Sequence, residues 1–395
     1  MHFPRPNLFE INLNAIAANT QKIRALIGPD TAFFATLKAN AYGYGVLPAA
    51  KTVLASGADA VSLASLDDAI SLRKSGIQVP ILLYAGNLPT PEVVAAVEYY
   101  KLIPTIHNRE LLQAYSRHTR NPLSVAVKID VGPERIGVPA KEAADFVAQV
   151  ESHPLLSVQI LNAHPNVRGG DQALDCLKWQ QRCFEEVIHE LEQRKLAIKW
   201  RVMASSKVLK LTGRRMLFNA VDPGAALFDG VDDDQFNSQA FFSLKSALIE
   251  VRHVERQQYL DEAAFQIRPD MRIGIIPFGY SDGVQHLHHS YALIRGQAAA
   301  IIGKPALEYL RVDVSDIPDA RVGDEVVLIG RQADQIITPE SVMQHQNASR
   351  VIDLALQVGP SIERRYLELN KPTARPSHHA TQPSLSFSTQ ENNHE

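Results

Sequence analysis

The chain has 395 residues, is 45% hydrophobic and carries a formal net charge of −3 at pH 7. That length calls for two or more domains, and the apolar content excludes a wholly disordered protein. The near-neutral charge points to no nucleic-acid or membrane partner, and no apolar run of about 18 residues is present to span a bilayer.

The N-terminal M-H-F-P-R-P-N lacks the apolar segment a signal peptide needs. The two cysteines, Cys176 and Cys183, fall seven apart on one helical pattern. They share a face but are too far apart for a disulfide, so both are expected as reduced thiols of a cytoplasmic protein. No metal site is expected.

In chain order, Leu8–Leu13 alternates like a strand and Ala15–Leu26 repeats like a helix. Strand patterns recur at Ala32–Leu37, Ala60–Leu63, Pro80–Tyr84, Leu102–Ile106, Ser124–Ile129, Ser157–Leu161, Lys199–Met203 and Met216–Val221. Helical patterns separate most of them, among them Pro48–Ser56, Leu66–Lys74, Lys141–Val150 and Asp171–Arg194. Eight strands alternating with helices suit an α/β fold, a TIM-like (β/α)₈ barrel; a doubly wound open sheet shares the periodicity. No G-x-G-x-x-G follows the first of these strands, which counts against dinucleotide binding.

The polar stretch Asp229–Ser238 reads as a boundary loop. Beyond it, short runs at Ser243–Val254, Met271–Ile276, Tyr291–Ile294, Ala298–Ile302, Arg311–Val314 and Glu325–Ile329 read as a small C-terminal β domain. The expected division is residues 15–235 as the barrel and 236–370 as the β domain. Residues 1–14 supply a strand to the β domain, and 371–395 form a polar, disordered tail.

The segment Phe33–Gly45, F-F-A-T-L-K-A-N-A-Y-G-Y-G, ends an apolar run on a lone lysine, Lys38. A lysine at the end of a buried strand is poorly solvated, which lowers its amine pKa and suits it to Schiff-base chemistry. The small residues after it leave room for a flat cofactor. The other reading is a lysine that snorkels to solvent.

Barrel chemistry sits at the C-terminal strand ends. Lys38, Arg135, His164, Ser205, Ser206 and the run Asp222-Pro223-Gly224-Ala225 all fall there. Ser205 and Ser206 would cap a helix whose amides attract an anion, and Gly224 and Ala225 would add backbone N–H groups for a phosphate. A purely structural serine cap is the alternative. Tyr42 is a further hydrogen-bond donor within range of Lys38.

The string K-A-N-A-Y-G-x-G, Lys38–Gly45, closely resembles the cofactor-lysine motif of alanine racemases, enzymes that use pyridoxal 5′-phosphate (PLP). The resemblance runs from about residue 7 to about residue 366, unevenly. It implies that His164 packs on the cofactor ring and that Arg135 holds the phenolic oxygen and the substrate carboxylate. Lys128 matches a lysine that is carbamylated in many members. P-F-G-Y-S-D-G, Pro277–Gly283, resembles the family's G-Y-A-D-G segment, which makes Tyr280 the second acid/base group opposite Lys38. That tyrosine enters the partner's site in the family, so a homodimer with shared sites is implied.

Four departures accompany the resemblance. V-D-P-G replaces the family's V-R-P-G, so Asp222 stands where an arginine faces the pyridine nitrogen. Leu307 and Glu308 replace a Met-Asp pair offered to substrate across the dimer. Ile352 stands for a phosphate-touching tyrosine, and His164-Pro165-Asn166 for the usual His-Phe. The expected activity is racemisation of an amino acid. The alternatives are decarboxylation or retro-aldol cleavage on the same fold, and a non-catalytic PLP-binding protein.

Overall fold

The computed structural model describes residues 5–167, 172–229, 241–254, 258–259, 266–267, 270–283, 291–343 and 350–367. The expected tail at 371–395, and the expected boundary loop beyond Asp229, lie outside these residues.

Eight parallel strands close into a barrel, as the strand-helix alternation predicts: Ala32–Thr36, Ala60–Leu63, Ile81–Leu83, Ile103–Ile106, Leu123–Asp130, Leu156–Ala163, Trp200–Ala204 and Ala220–Val221. Closure runs through the pairing of the last strand with the first, Val221 opposite Phe33. The inside is filled by one apolar cluster with one residue from each strand: Phe34, Ala60, Leu82, Ile103, Ala126, Ile160, Val202 and Ala220. Their strand neighbours, such as Phe33 and Ala35, point the other way and join the larger core beneath the helices. The eighth strand is shorter than expected, because the chain turns through Gly213–Met216 before pairing begins.

The second unit is a mostly antiparallel sheet. The expected run Ser243–Val254 divides into Phe242–Ala247 and Glu250–His253, since the first half pairs with Glu325–Gln332 and the second with Arg272–Ile276. Leu8–Asn12 lies between Phe242–Ala247, antiparallel, and Glu363–Leu367, parallel. The helix Val351–Gln357 and the strand Glu363–Leu367, neither legible in the sequence pattern, return the chain to the barrel mouth. There Arg364 Nε donates to the Gly43 carbonyl at 3.1 Å. A Cβ on Gly43 would meet the Ala355 carbonyl oxygen at 2.5 Å, so the chain end clamps the segment that carries Lys38.

Candidate active site

Residues i and i+2 of a strand share a face. Two positions beyond each residue of the apolar layer stand Thr36, Ser62, Tyr84, Thr105, Lys128, Asn162, Ala204 and Asp222. All but Ala204 are polar, and together they form the floor of the barrel mouth. Tyr84 Oη donates to Asp222 Oδ2 at 2.7 Å, and Asn162 Nδ2 donates to the same oxygen at 3.1 Å. Thr36 Oγ1 donates to the Asp222 carbonyl at 2.9 Å. Lys128 Nζ donates to Asn162 Oδ1.

A cavity of about 440 Å³ opens above this floor. Ten barrel residues singled out in the sequence line it: Lys38, Tyr42, Lys128, Arg135, His164, Ser205, Ser206, Asp222, Gly224 and Ala225. Thr36, Tyr84 and Arg350 line it too. Sequence reasoning missed Thr36, Tyr84 and Asn162, although counting two residues on from the apolar layer would have found them.

Lys38 departs from expectation. The strand stops at Thr36, and Ala39, Asn40, Ala41 and Tyr42 form one left-handed turn with φ of 52–54°. That turn lifts Lys38 into the open mouth, where it is exposed rather than desolvated. Its Nζ lies 5.7 Å from the centre of the Tyr84 ring. Asn40 Oδ1 secures the turn by accepting from the Val46 amide at 2.7 Å.

The anion cradle is also built differently. Ser205 occupies the N-cap position of the helix Ser206–Thr212 but makes no capping hydrogen bond. Ser206 Oγ instead accepts from the amides of Gly224, at 2.9 Å, and Ala226, at 3.1 Å. A Cβ on Gly224 would stand 2.2 Å from Tyr42 Oη, so glycine there admits the tyrosine. Ile352, by contrast, is fully buried core.

Burial, together with the charges of Lys128, Arg135, Lys38 and Lys207, pushes His164 down to about 3, so its ring is neutral. Burial brings Lys128 down to about 8, helped by Arg135 and Lys38 and opposed by Asp222 and Asp130. Burial and the Asp222 charge raise Tyr42 to about 12. Burial raises Asp222 as well, against the pull of Lys128 and of its hydrogen bonds from Tyr84 and Asn162.

Tyr280, Leu307 and Glu308 are not in this cavity. Tyr280 is 49% exposed and Leu307 53%, and Glu308 is exposed beside them. They form one surface feature, because the amide of Tyr280 donates to Ala306 O and that of Ser281 to Leu307 O, each at 3.0 Å. Buried Asp282 fixes the turn by accepting from the Gly279 amide and from Arg5.

The charged residues around the cavity are Lys38, Lys128, Arg135, Lys207 and Arg350 against Asp130 and Asp222. An anionic, phosphate-bearing cofactor that reacts with an amine fits this set, and the buried oxygen Asp222 Oδ1, without a hydrogen-bond partner, fits a cofactor that brings a donor. Fold and site together define a barrel enzyme of the PLP-lysine class.

Relatives of known sequence and structure narrow that class. The family pattern described as "Alanine racemase, N-terminal domain" matches residues 11–231, and "Alanine racemase, C-terminal domain" matches 241–366. The chain belongs to the alanine racemase family, whose members are PLP-dependent isomerases. It is 30% identical over 376 residues to alanine racemase 1 of Bacillus subtilis, covering 93% of this chain and 94% of that one. It is 30% identical over 355 residues to the alanine racemase of Geobacillus stearothermophilus, covering 87% and 89%. Among solved structures, the alanine racemase of E. faecalis matches with a TM-score of 0.80 at 26% identity, over 92% of this chain and 98% of that one. Among the described residues no helix is long and apolar enough to cross a membrane.

Proposed function

We propose that the protein is a PLP-dependent racemase of a small amino acid, with alanine, the substrate named for its relatives, as the first candidate. The observation that carries this reading is the convergence of the ten barrel residues on one cavity containing Lys38. When bound, PLP draws electrons from the substrate α-carbon and makes its proton acidic. Lys38 holds the cofactor and moves the α-proton on one face. Ser206, whose hydroxyl proton is left free by the Gly224 and Ala226 amides it accepts, receives the phosphate together with the amide of Ala225. Arg135, exposed at the rim, orients the substrate carboxylate, and neutral His164 packs beside the ring without adding charge.

In this reading Tyr280 serves the opposite face from a second copy of the chain, with Leu307 and Glu308 shaping that entrance. Their exposure, away from their own chain's cavity, supports a homodimer with shared sites. The free cysteines Cys176 and Cys183 suit a cytoplasmic protein. The division at residues 15–235 and 236–370 belongs to the same proposal.

The test is a panel of L- and D-amino acids followed by chiral chromatography, with borohydride fixation of the cofactor. Interconversion of a small amino acid, with cofactor fixed on the Lys38 peptide, is expected. Cofactor fixed on another lysine overturns the reading. Asp222 favours one second reading, decarboxylation or retro-aldol cleavage, and CO₂ or aldehyde formation without racemisation would select it.

A further inference from the structure

Asp222 has one occupied and one idle carboxylate oxygen. Oδ2 accepts from Tyr84 at 2.7 Å and Asn162 at 3.1 Å, whereas Oδ1 is buried without a hydrogen-bond partner. The residue is 5% exposed. Its backbone is fixed by the amide donating to Ala204 O at 3.1 Å and the carbonyl accepting from Thr36, and its carboxylate is held by the two donors on Oδ2. A buried acceptor fixed this firmly awaits a donor. Lys128, the cation of the floor, donates to Asn162 Oδ1 and not to Asp222 Oδ1.

The chemistry of PLP leaves one donor for it. The phosphate and the phenolic oxygen are anionic acceptors and repel a carboxylate, as does the substrate carboxylate. The amine-bearing carbon belongs to Lys38. Of the cofactor's own atoms, only the ring nitrogen, once protonated, offers an N–H. We propose that Asp222 Oδ1 is the partner of the pyridine nitrogen and holds it protonated, so that this chain uses a charged ring as its electron sink.

This rests on the PLP reading of the site. The proton comes from solvent or from the carboxyl itself, which burial already inclines to carry one. Either way the nitrogen ends positive and Asp222 negative, an ion pair inside a hydrogen-bonded floor. An arginine in this place, as in the family pattern, has no acceptor to offer and leaves the nitrogen bare. The charged ring stabilises an α-carbanion more strongly, which opens side reactions such as transamination of the cofactor.

The experiment is ¹⁵N NMR of the enzyme reconstituted with PLP labelled at the ring nitrogen, with attachment to Lys38 established separately by borohydride fixation and peptide mapping. A protonated-nitrogen shift that stays fixed across the neutral pH range is expected. Asp222→Asn should move it to the unprotonated position, and Tyr84→Phe should keep it protonated. With the label on Lys38, an unprotonated nitrogen in the wild type, or an Asp222→Asn shift equal to the wild type's, overturns the proposal. Label absent from Lys38 overturns the PLP reading beneath it. If Asp222→Asn does not fold, the wild-type pH series decides alone.

Discussion

The Ser206 hydroxyl accepts the Gly224 amide at 2.9 Å, tying the end of the seventh barrel strand to the end of the eighth. With the amide of Ala226 also on this oxygen, its own proton is free to point at a cofactor phosphate. Ser206→Ala should strand both amides and remove that donor. PLP should then bind about tenfold more weakly, corresponding to about 1–2 kcal/mol. Equilibrium dialysis of the apoenzyme measures this, and unchanged affinity would place the phosphate elsewhere.

In the proposed dimer with shared sites, Tyr280→Phe removes the hydroxyl that serves one face only. Exchange of the α-proton with deuterated solvent should fall far more for one enantiomer than for the other. Mixing inactive Lys38→Ala with inactive Tyr280→Phe should restore part of the activity, because a hybrid dimer keeps one intact site. Absence of recovery despite proven subunit exchange would remove the shared site.

Lys128, brought down to about 8, titrates below the ordinary 10.5 of a lysine. Between those values the unfolded chain holds more protons than the folded one, so this group makes stability rise with pH across that window. Below about 8 its full cost is present. The rate of Lys128 acetylation in the apoenzyme should titrate with a midpoint near 8. Asp222 beside it also disfavours an anionic carbamate, so native mass spectrometry should find Lys128 unmodified.

The left-handed turn predicts an unusual sign. Ala39 is exposed with φ of 52°, a conformation that costs an L-residue about 1–2 kcal/mol and glycine almost nothing. Glycine gives back about 0.4–1 kcal/mol through the unfolded chain. Ala39→Gly should therefore stabilise the protein by about 0.5 kcal/mol, whereas Ala→Gly in an ordinary helix destabilises it. Thermal unfolding of the two forms tests this, and a clearly lower Tm would contradict it.

The sequence by itself determined the alternation of eight strands with helices and singled out Lys38 as the candidate cofactor lysine. Alternation of period two forces Phe34 inward and Phe33 outward. A lysine that closes an apolar run and leads into Asn40, Gly43 and Gly45 marks a strand end with open space beside its amine. It also located the other strand-end residues, because strand ends are local features. What it could not decide was everything that depends on one strand facing another. The meeting of Tyr84, Asn162 and Lys128 around Asp222 brings together residues up to 138 positions apart, and only barrel closure sets that register. The solvation of Lys38 was likewise tertiary: the turn after Thr36 is left-handed under the clamp of Ala355 and Arg364, and of Ala39–Tyr42 only Asn40 has a local tendency toward it.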